Sequence, residues 1–155
     1  MASDIKFTIN KATADQSLIP TNVSADLEQR FLKKSKADAF KLIPISFIAA
    51  AIVIVIIALL IYFLRIIAIS TIGILFIIFP IYAICDAFAT SKAVKNHDYD
   101  FYYGEITGKT EYGNYIIKGL EEQKISVLLG KKEYNAGDHT IVARLKDDLH
   151  LISEE

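Results

Sequence analysis

Cysteine is almost absent from this sequence. Its one cysteine, Cys85, lies inside an apolar run. A disulfide within the chain is therefore excluded, and so is a zinc site built from cysteines. Because Cys85 lies near one end of that run, it is a candidate for S-palmitoylation, although a small apolar filler is the commoner role for such a cysteine.

Neither sign of charge is in excess, and no region is broadly basic. The chain has 17 Lys and Arg against 18 Asp and Glu, a net charge of −1. Residues 1–41 have a net charge of +2, residues 42–90 of zero and residues 91–155 of −3. This balance argues against a nucleic-acid partner and divides the chain into regions of different character.

Charge is missing altogether from two long stretches. Residues 42–64 and 66–85 contain no Asp, Glu, Lys or Arg, and only Arg65 separates them. About 20 apolar residues at about 1.5 Å per residue match a hydrocarbon core of about 30 Å. We therefore predict a two-helix transmembrane hairpin in residues 42–90, with spans near 42–64 and 67–88. The first span would act as a signal anchor, because no cleavable signal pattern precedes it.

The predicted turn between the spans lies at Arg65. Its neighbourhood contains no Gly, Pro or Asn, which a tight reversal usually has. The rival turn, Ser70 to Gly73, contains a glycine but would leave a second span too short for a bilayer. We therefore place the reversal at Arg65, whose side chain would reach lipid phosphates.

Basic residues predict the orientation of the hairpin. Two of them, Lys92 and Lys95, follow the second span, and five closely precede the first, namely Arg30, Lys33, Lys34, Lys36 and Lys41. Since only Arg65 lies between the spans, the positive-inside rule predicts that both termini are cytoplasmic.

Two segments of different pattern precede the first span. Residues 1–23 are polar, and within them Ile5, Phe7 and Ile9 alternate with polar residues as in a short strand. Such a segment is either disordered or pairs with the edge of another sheet. Residues 24–41 predict a basic amphipathic helix beginning at Ser24, which would either rest on lipid headgroups or extend the span into solvent.

After a linker at residues 91–98, the composition becomes that of a β domain. Six of the seven glycines and six of the eight tyrosines lie between Tyr99 and Gly137. Turn residues separate five β-prone runs, at residues 101–107, 115–118, 124–129, 140–145 and 149–153. A flat sheet of that length would leave one apolar face and both edges bare. We therefore predict that residues 99–155 form a cytoplasmic small all-β barrel of SH3 or OB type.

No pattern of side chains predicts catalysis. His97, Asp98 and Asp100 offer metal ligands, but so short a stretch after a membrane span is far more often a polar connector. His139 and His150 have no plausible nucleophile or acid beside them, and neither a Ser-His-Asp set nor a phosphate loop can be assembled. We therefore expect no enzyme activity, no metal and no cofactor.

Aromatic residues at the start of the β domain are the candidate contact site. They are Tyr99, Phe101, Tyr102 and Tyr103. Alternation along a strand sends Phe101 and Tyr103 to one face and Tyr102 to the other. One set would enter the core, and the other would contact the bilayer or a partner protein.

The order of transmembrane helices followed by a small barrel resembles NfeD-type membrane proteins. The similarity is carried by residues 103–108, Tyr-Gly-Glu-Ile-Thr-Gly, and by residues 136–142, Ala-Gly-Asp-His-Thr-Ile-Val. The resemblance implies a soluble OB-fold domain that supports assembly with partners. It assigns no functional residue in this chain.

Together these features predict a non-enzymatic membrane protein that displays its β domain to a partner, as an accessory or scaffold subunit of a membrane assembly. Its expected contacts are the lipid bilayer and either another protein or a second copy of the chain. The alternative is that the hairpin is the working part, as an oligomeric pore or a transporter subunit. The spans have few polar residues with which to line an aqueous path, which counts against that alternative.

Overall fold

The computed structural model describes residues 18–64, 70–131 and 133–154. The chain divides into two compact units. The helical unit is Lys36–Lys92, and the β unit combines the described residues up to Ser35 with those from Ala93 onward. The β unit therefore contains the first residues of one long helix and the last residues of the other.

Helix α1 is Ala25–Leu64 and helix α2 is Ser70–Lys95. Their 40 and 26 residues correspond to about 60 and 39 Å of helix. Both are long and apolar enough, by length and composition, to cross a membrane. The prediction of two such helices is confirmed, whereas Arg65 and the turn predicted there lie outside the described residues.

The start of α1 carries the predicted capping residue. Ser24 Oγ accepts a hydrogen bond from the Leu27 backbone N–H at 3.3 Å, which satisfies one of the free donors of the first turn. From there the helix continues through Pro44 into the apolar segment. The residues predicted as a basic amphipathic helix, 24–41, thus form the first part of α1 and are continuous with the apolar part.

Small side chains fill the inside of the helical unit. Ala39, Ala50, Ala83 and Ala87 are buried there. Gly73 of α2 lies against α1, because a Cβ at this position would be 3.3 Å from Cδ1 of Ile57. Small residues let helix backbones approach closely. Most of the large apolar side chains are outside, and Ile45, Ile56 and Phe79 are examples with 50–60% exposure.

The β unit contains six strands. They are β1 (Ile19–Pro20), β2 (Tyr99–Lys109), β3 (Tyr115–Ile117), β4 (Ser126–Leu129), β5 (His139–Leu145) and β6 (Asp148–Ile152). The order across the sheet is β1-β2-β5-β6-β4, and β3 pairs with β2. These pairs are antiparallel except for β4 with β6. The five predicted β-prone runs correspond to β2–β6 with slightly shifted ends, and β1 was not predicted.

Strand β2 is long because it serves two partners. Its first part pairs with β5, from Tyr99 opposite Leu145 to Glu105 opposite His139. Its last part pairs with β3, from Ile106 opposite Ile117 to Lys109 opposite Tyr115, and this pairing contains a register shift between Ile106 and Gly108. A shift of this kind bends a strand, so one strand can belong to two parts of a sheet.

Alternation along the strands fills two cores. Val142 and Leu151 face the first core, which also contains Tyr102 and Ile106. Their neighbours in sequence, Ala143 and Ile152, face the second core.

Helix residues complete the second core. Leu27 and Phe31 of α1 and Ala93 of α2 are buried in it, and the rings of Phe31 and Phe101 meet edge to face at 5.6 Å. Neither arrangement expected for residues 24–41 included this contact with the sheet. The apolar side of the helix start is covered by strands of the same chain.

Candidate functional site

Strand β2 sets the direction of the aromatic residues predicted as contacts. Tyr102 is 1% exposed and lies in the first core, whereas Tyr103 is 46% exposed. Phe101 alternates to the same side as Tyr103 but packs against Phe31. Tyr99 is half-buried. Of these four residues, Tyr103 presents the most accessible ring.

Tyr103 stacks on His139, the first residue of β5. Their ring centroids are 5.3 Å apart and the ring planes differ by 13°. His139 pairs with Glu105, so it lies diagonally across the ladder from Tyr103, within reach of a long side chain. The pair was not predicted, because the two residues are distant in the chain and only the register of β2 and β5 brings them together.

A cleft of about 360 Å³ opens beside this stack, and we call it the Tyr103 cleft. Its walls come from β1, β2, the start of β5 and the turn after β3, and Ile19 at its rim is 70% exposed. The lining is mostly apolar and consists of Leu18, Ile19, Tyr103, Gly104, Glu105, Lys118, Gly119 and His139.

Gly104 forms the floor of the cleft, and the core beneath requires a glycine there. A Cβ at this position would be 2.9 Å from Cγ2 of Ile117 and 3.1 Å from Cγ2 of Val142. Both distances are below ordinary van der Waals contact. Since those side chains are fully buried, the shape of the floor is fixed by the first core.

Paired charges flank the cleft. On one side, Lys118 Nζ lies 3.0 Å from Glu105 Oε2. On the other side, beyond His139, the Asn135 backbone N–H donates to Asp138 at 3.0 Å and Lys131 Nζ donates to it at 3.2 Å, which lowers the pKa of Asp138 below its ordinary value. These pairs are exposed and balanced, so they give the surface no net charge of either sign.

Asp98 and Asp100, considered above as metal ligands, bind Arg144. Its Nη2 donates to Asp98 at 3.0 Å, its Nε to Asp100 at 2.9 Å, and its Nη1 to the Lys146 carbonyl at 2.7 Å. The arginine side chain is 1% exposed. Burial alone would lower the pKa of Arg144, but the bonds to Asp100 and Asp98 outweigh it and raise that pKa. The cluster fixes the segment between α2 and β2 to the end of β5.

Glu28 in the first turn of α1 binds Tyr99, the first residue of β2. The Tyr99 O–H donates to Glu28 Oε1 at 2.6 Å, and His97 Nδ1 lies 3.1 Å from the same hydroxyl. The bond to Glu28, followed by burial and the charge of that carboxylate, raises the pKa of Tyr99 to about 12. This contact joins the helix start to the sheet.

The other residues singled out in the sequence lie in the helices. In α1, Lys33 is exposed and Lys34 and Lys36 are half-buried. Arg30 pairs with Asp26 and Lys41 with Asp38, each at 3.7 Å. In α2, Cys85 is exposed.

No group of three or more His, Cys, Asp or Glu in the described part of the chain is placed to hold a metal ion. Ser126 Oγ and His150 Nδ1 are 3.5 Å apart, beyond the reach of about 2.6–3.2 Å typical of a nucleophile and its base.

Comparison of the chain with protein-family models, with curated proteins and with solved structures finds no significant match.

Proposed function

We propose that this chain is a two-span integral membrane protein that presents its β unit to a protein partner and acts by binding rather than by catalysis. The observation that carries the proposal is the Tyr103 cleft, in which an exposed aromatic stack lies on paired strands above a fixed floor. Exposed aromatic residues on a rigid support are typical of protein contact sites. In this role the protein is an accessory or scaffold subunit of a membrane assembly.

The proposed membrane insertion rests on the exposed side chains of the helical unit. Large apolar residues on α1 and α2 are half or more exposed in the chain alone, and lipid is the solvent that would cover them. The surplus of basic residues in the first part of α1, ahead of its apolar part, and at the end of α2 supports cytoplasmic termini.

Asn22 offers a direct test of this orientation. It lies exposed ahead of α1 and belongs to the glycosylation sequon Asn22-Val23-Ser24. In a system that glycosylates lumenal sequons, we expect Asn22 to stay unmodified, while a sequon in a long loop inserted after Arg65 is modified. A glycan on Asn22 would reverse the proposed orientation.

We further propose that the sheet closes as a small barrel of OB type. Tyr115 and Ile125 exchange both backbone hydrogen bonds, at 2.8 and 3.0 Å, which links β3 to the residue before β4. Together with the other pairings, this bridge supports closure in the order β2-β3-β4-β6-β5. The parallel pair of β4 and β6 favours an OB order over an SH3 order, whose neighbouring strands are antiparallel. The resemblance to NfeD-type proteins implies a barrel of the same type.

Site-specific photocross-linking in native membranes tests the proposed binding role. A photoreactive residue replaces Tyr103 in one chain and Tyr112, which is 84% exposed and lies outside the cleft, in the control. We expect one foreign protein to be joined at position 103 and not at position 112. The adduct should disappear when Ile19→Ser removes the apolar rim. Adducts at position 103 only with other copies of the chain would favour the pore or transporter subunit instead.

A further inference from the structure

The Tyr103 cleft lies where the chain enters the described structure. Leu18 is 6% exposed and packs over Gly104, and Ile19 follows it at the rim. Strand β1 pairs with Tyr102 and Tyr103 of β2. Two residues further along β2, the carbonyl of Glu105 accepts a hydrogen bond from the Lys118 backbone N–H at 2.9 Å. Lys118 therefore holds the position on β2 that follows the residues paired with β1. The described chain thus begins beside the cleft, at Leu18.

Residues 1–17 lie outside the described residues, and their sequence suits this surface. Ile5, Phe7 and Ile9 alternate with the polar residues Lys6, Thr8 and Asn10, so an extended segment would have one apolar face. The chain from Ile9 to Leu18 reaches up to about 30 Å, which is ample for a return across the cleft. Asp4 and Lys6 carry one charge of each sign, as do Glu105 and Lys118 at the rim.

We propose that residues 5–9 of the same chain occupy the Tyr103 cleft, with Phe7 against the stacked rings of Tyr103 and His139. This inference rests on the proposed function, because it makes the segment a competitor of the partner for one surface. A segment tethered by a short linker has an effective concentration in the millimolar range. A weak intrinsic affinity is therefore sufficient for occupancy, and a partner binds by displacing the segment.

Carbethoxylation of histidines in the full chain, followed by mass spectrometry, tests this occupancy. His139 lies in the cleft, while His97 and His150 lie outside it and serve as internal references. The triple variant Ile5→Ser, Phe7→Ser, Ile9→Ser removes the apolar face, and the matched control Lys6→Ser, Thr8→Ser, Asn10→Ser keeps it. We expect the first variant to raise the rate of carbethoxylation at His139 about tenfold. This is the protection given by a segment that binds with a dissociation constant of about 0.1 mM at an effective concentration of about 1 mM. The control should leave all three rates unchanged.

Deletion of residues 1–12 is a second variant and should give the same rise at His139. Equal His139 rates in all of these chains would overturn the inference. Protection that increases with protein concentration would also overturn it, because the occupant would then come from a second copy. None of these results depends on a partner, so a failure here is distinct from a failure of the cross-linking experiment at position 103.

Discussion

The contacts that stabilise the β unit internally differ in kind from those inside the helical unit. In the β unit, a buried arginine binds two carboxylates, and the first turn of α1 binds the sheet through Glu28 and Tyr99. In the helical unit, the buried side chains are mostly small and the large apolar ones are exposed. In water, burial of apolar side chains stabilises a fold, and buried polar groups are tolerated where they pair with good geometry. In lipid, large apolar side chains are already solvated, so helices are stabilised by close packing of their backbones. We therefore expect single substitutions to cost more stability in the β unit.

The largest difference should come from two phenylalanines on the same helix. Phe31→Ala removes a fully buried ring from the second core and should lower the free energy of unfolding of the β unit by about 3–5 kcal/mol. Phe40→Ala, at a ring that is 45% exposed in the helical unit, should change it by less than about 0.5 kcal/mol. Denaturant titration of the solubilised protein, followed by tyrosine fluorescence, measures both. Equal effects would remove the distinction between the two units.

The next effect concerns the buried arginine. Arg144→Met leaves Asp98 and Asp100 without their cation and should destabilise the β unit by about 3 kcal/mol in the same titration. Adding Asp98→Asn and Asp100→Asn to this variant should recover a large part of that loss. Lys118→Met, which breaks only the exposed pair with Glu105, is the control and should cost about 0.5 kcal/mol or less. No recovery in the triple variant would show that packing, not charge, makes Arg144 important.

A smaller and pH-dependent effect should come from Tyr99. Tyr99→Phe removes the hydrogen bond to Glu28 and should cost about 1 kcal/mol at neutral pH. The pKa of Tyr99 is raised in the folded protein from 10.0 to about 12, so the folded state favours the neutral phenol. This contribution is fully present below pH 10 and is lost between pH 10 and about 12. Unfolding measured from pH 8 to 12 should show that loss in the parent chain and in Tyr112→Phe, but not in Tyr99→Phe.

The smallest effect on stability should come from the cleft itself. Tyr103→Ala truncates a ring that is 46% exposed, so the free energy of unfolding should change by less than about 0.5 kcal/mol. The same substitution should abolish the partner adduct formed from a photoreactive residue at Ile19. Loss of stability comparable to that of Phe31→Ala would mean that the stacked rings belong to the core.

Local patterns in the sequence predicted much of the fold. The charge-free stretches identified the apolar helices, and alternation gave the directions of Tyr102 and Tyr103 because those signals depend only on neighbouring residues. Strand β1 was missed, because two residues ending in a proline have no strand pattern of their own.

Contacts between distant segments could not be predicted in the same way. Leu27 and Phe31 have the spacing of any amphipathic helix, and that spacing does not identify whether lipid or a sheet covers them. Arg144 lies in a β-prone run, where a charged residue is usually taken to face water. Its burial depends on Asp100, which lies on strand β2, and on Asp98, which lies in the segment before β2. The stack of Tyr103 on His139 likewise exists only through strand register.

The β unit is assembled from residues on both sides of the helical unit in the sequence, and this order has a consequence for biosynthesis. Leu27 and Phe31 leave the ribosome before the helical unit, whereas the strands that cover them are made after it. At about 5–20 residues per second, the wait lasts several seconds or longer. During that time α1 and α2 emerge from the ribosome, but the strands that cover Leu27 and Phe31 have not yet been made. This unit is therefore complete only after residues 99–152 have been made, and until then chaperones at the ribosome would meet a nascent chain whose aromatic residues are not yet buried.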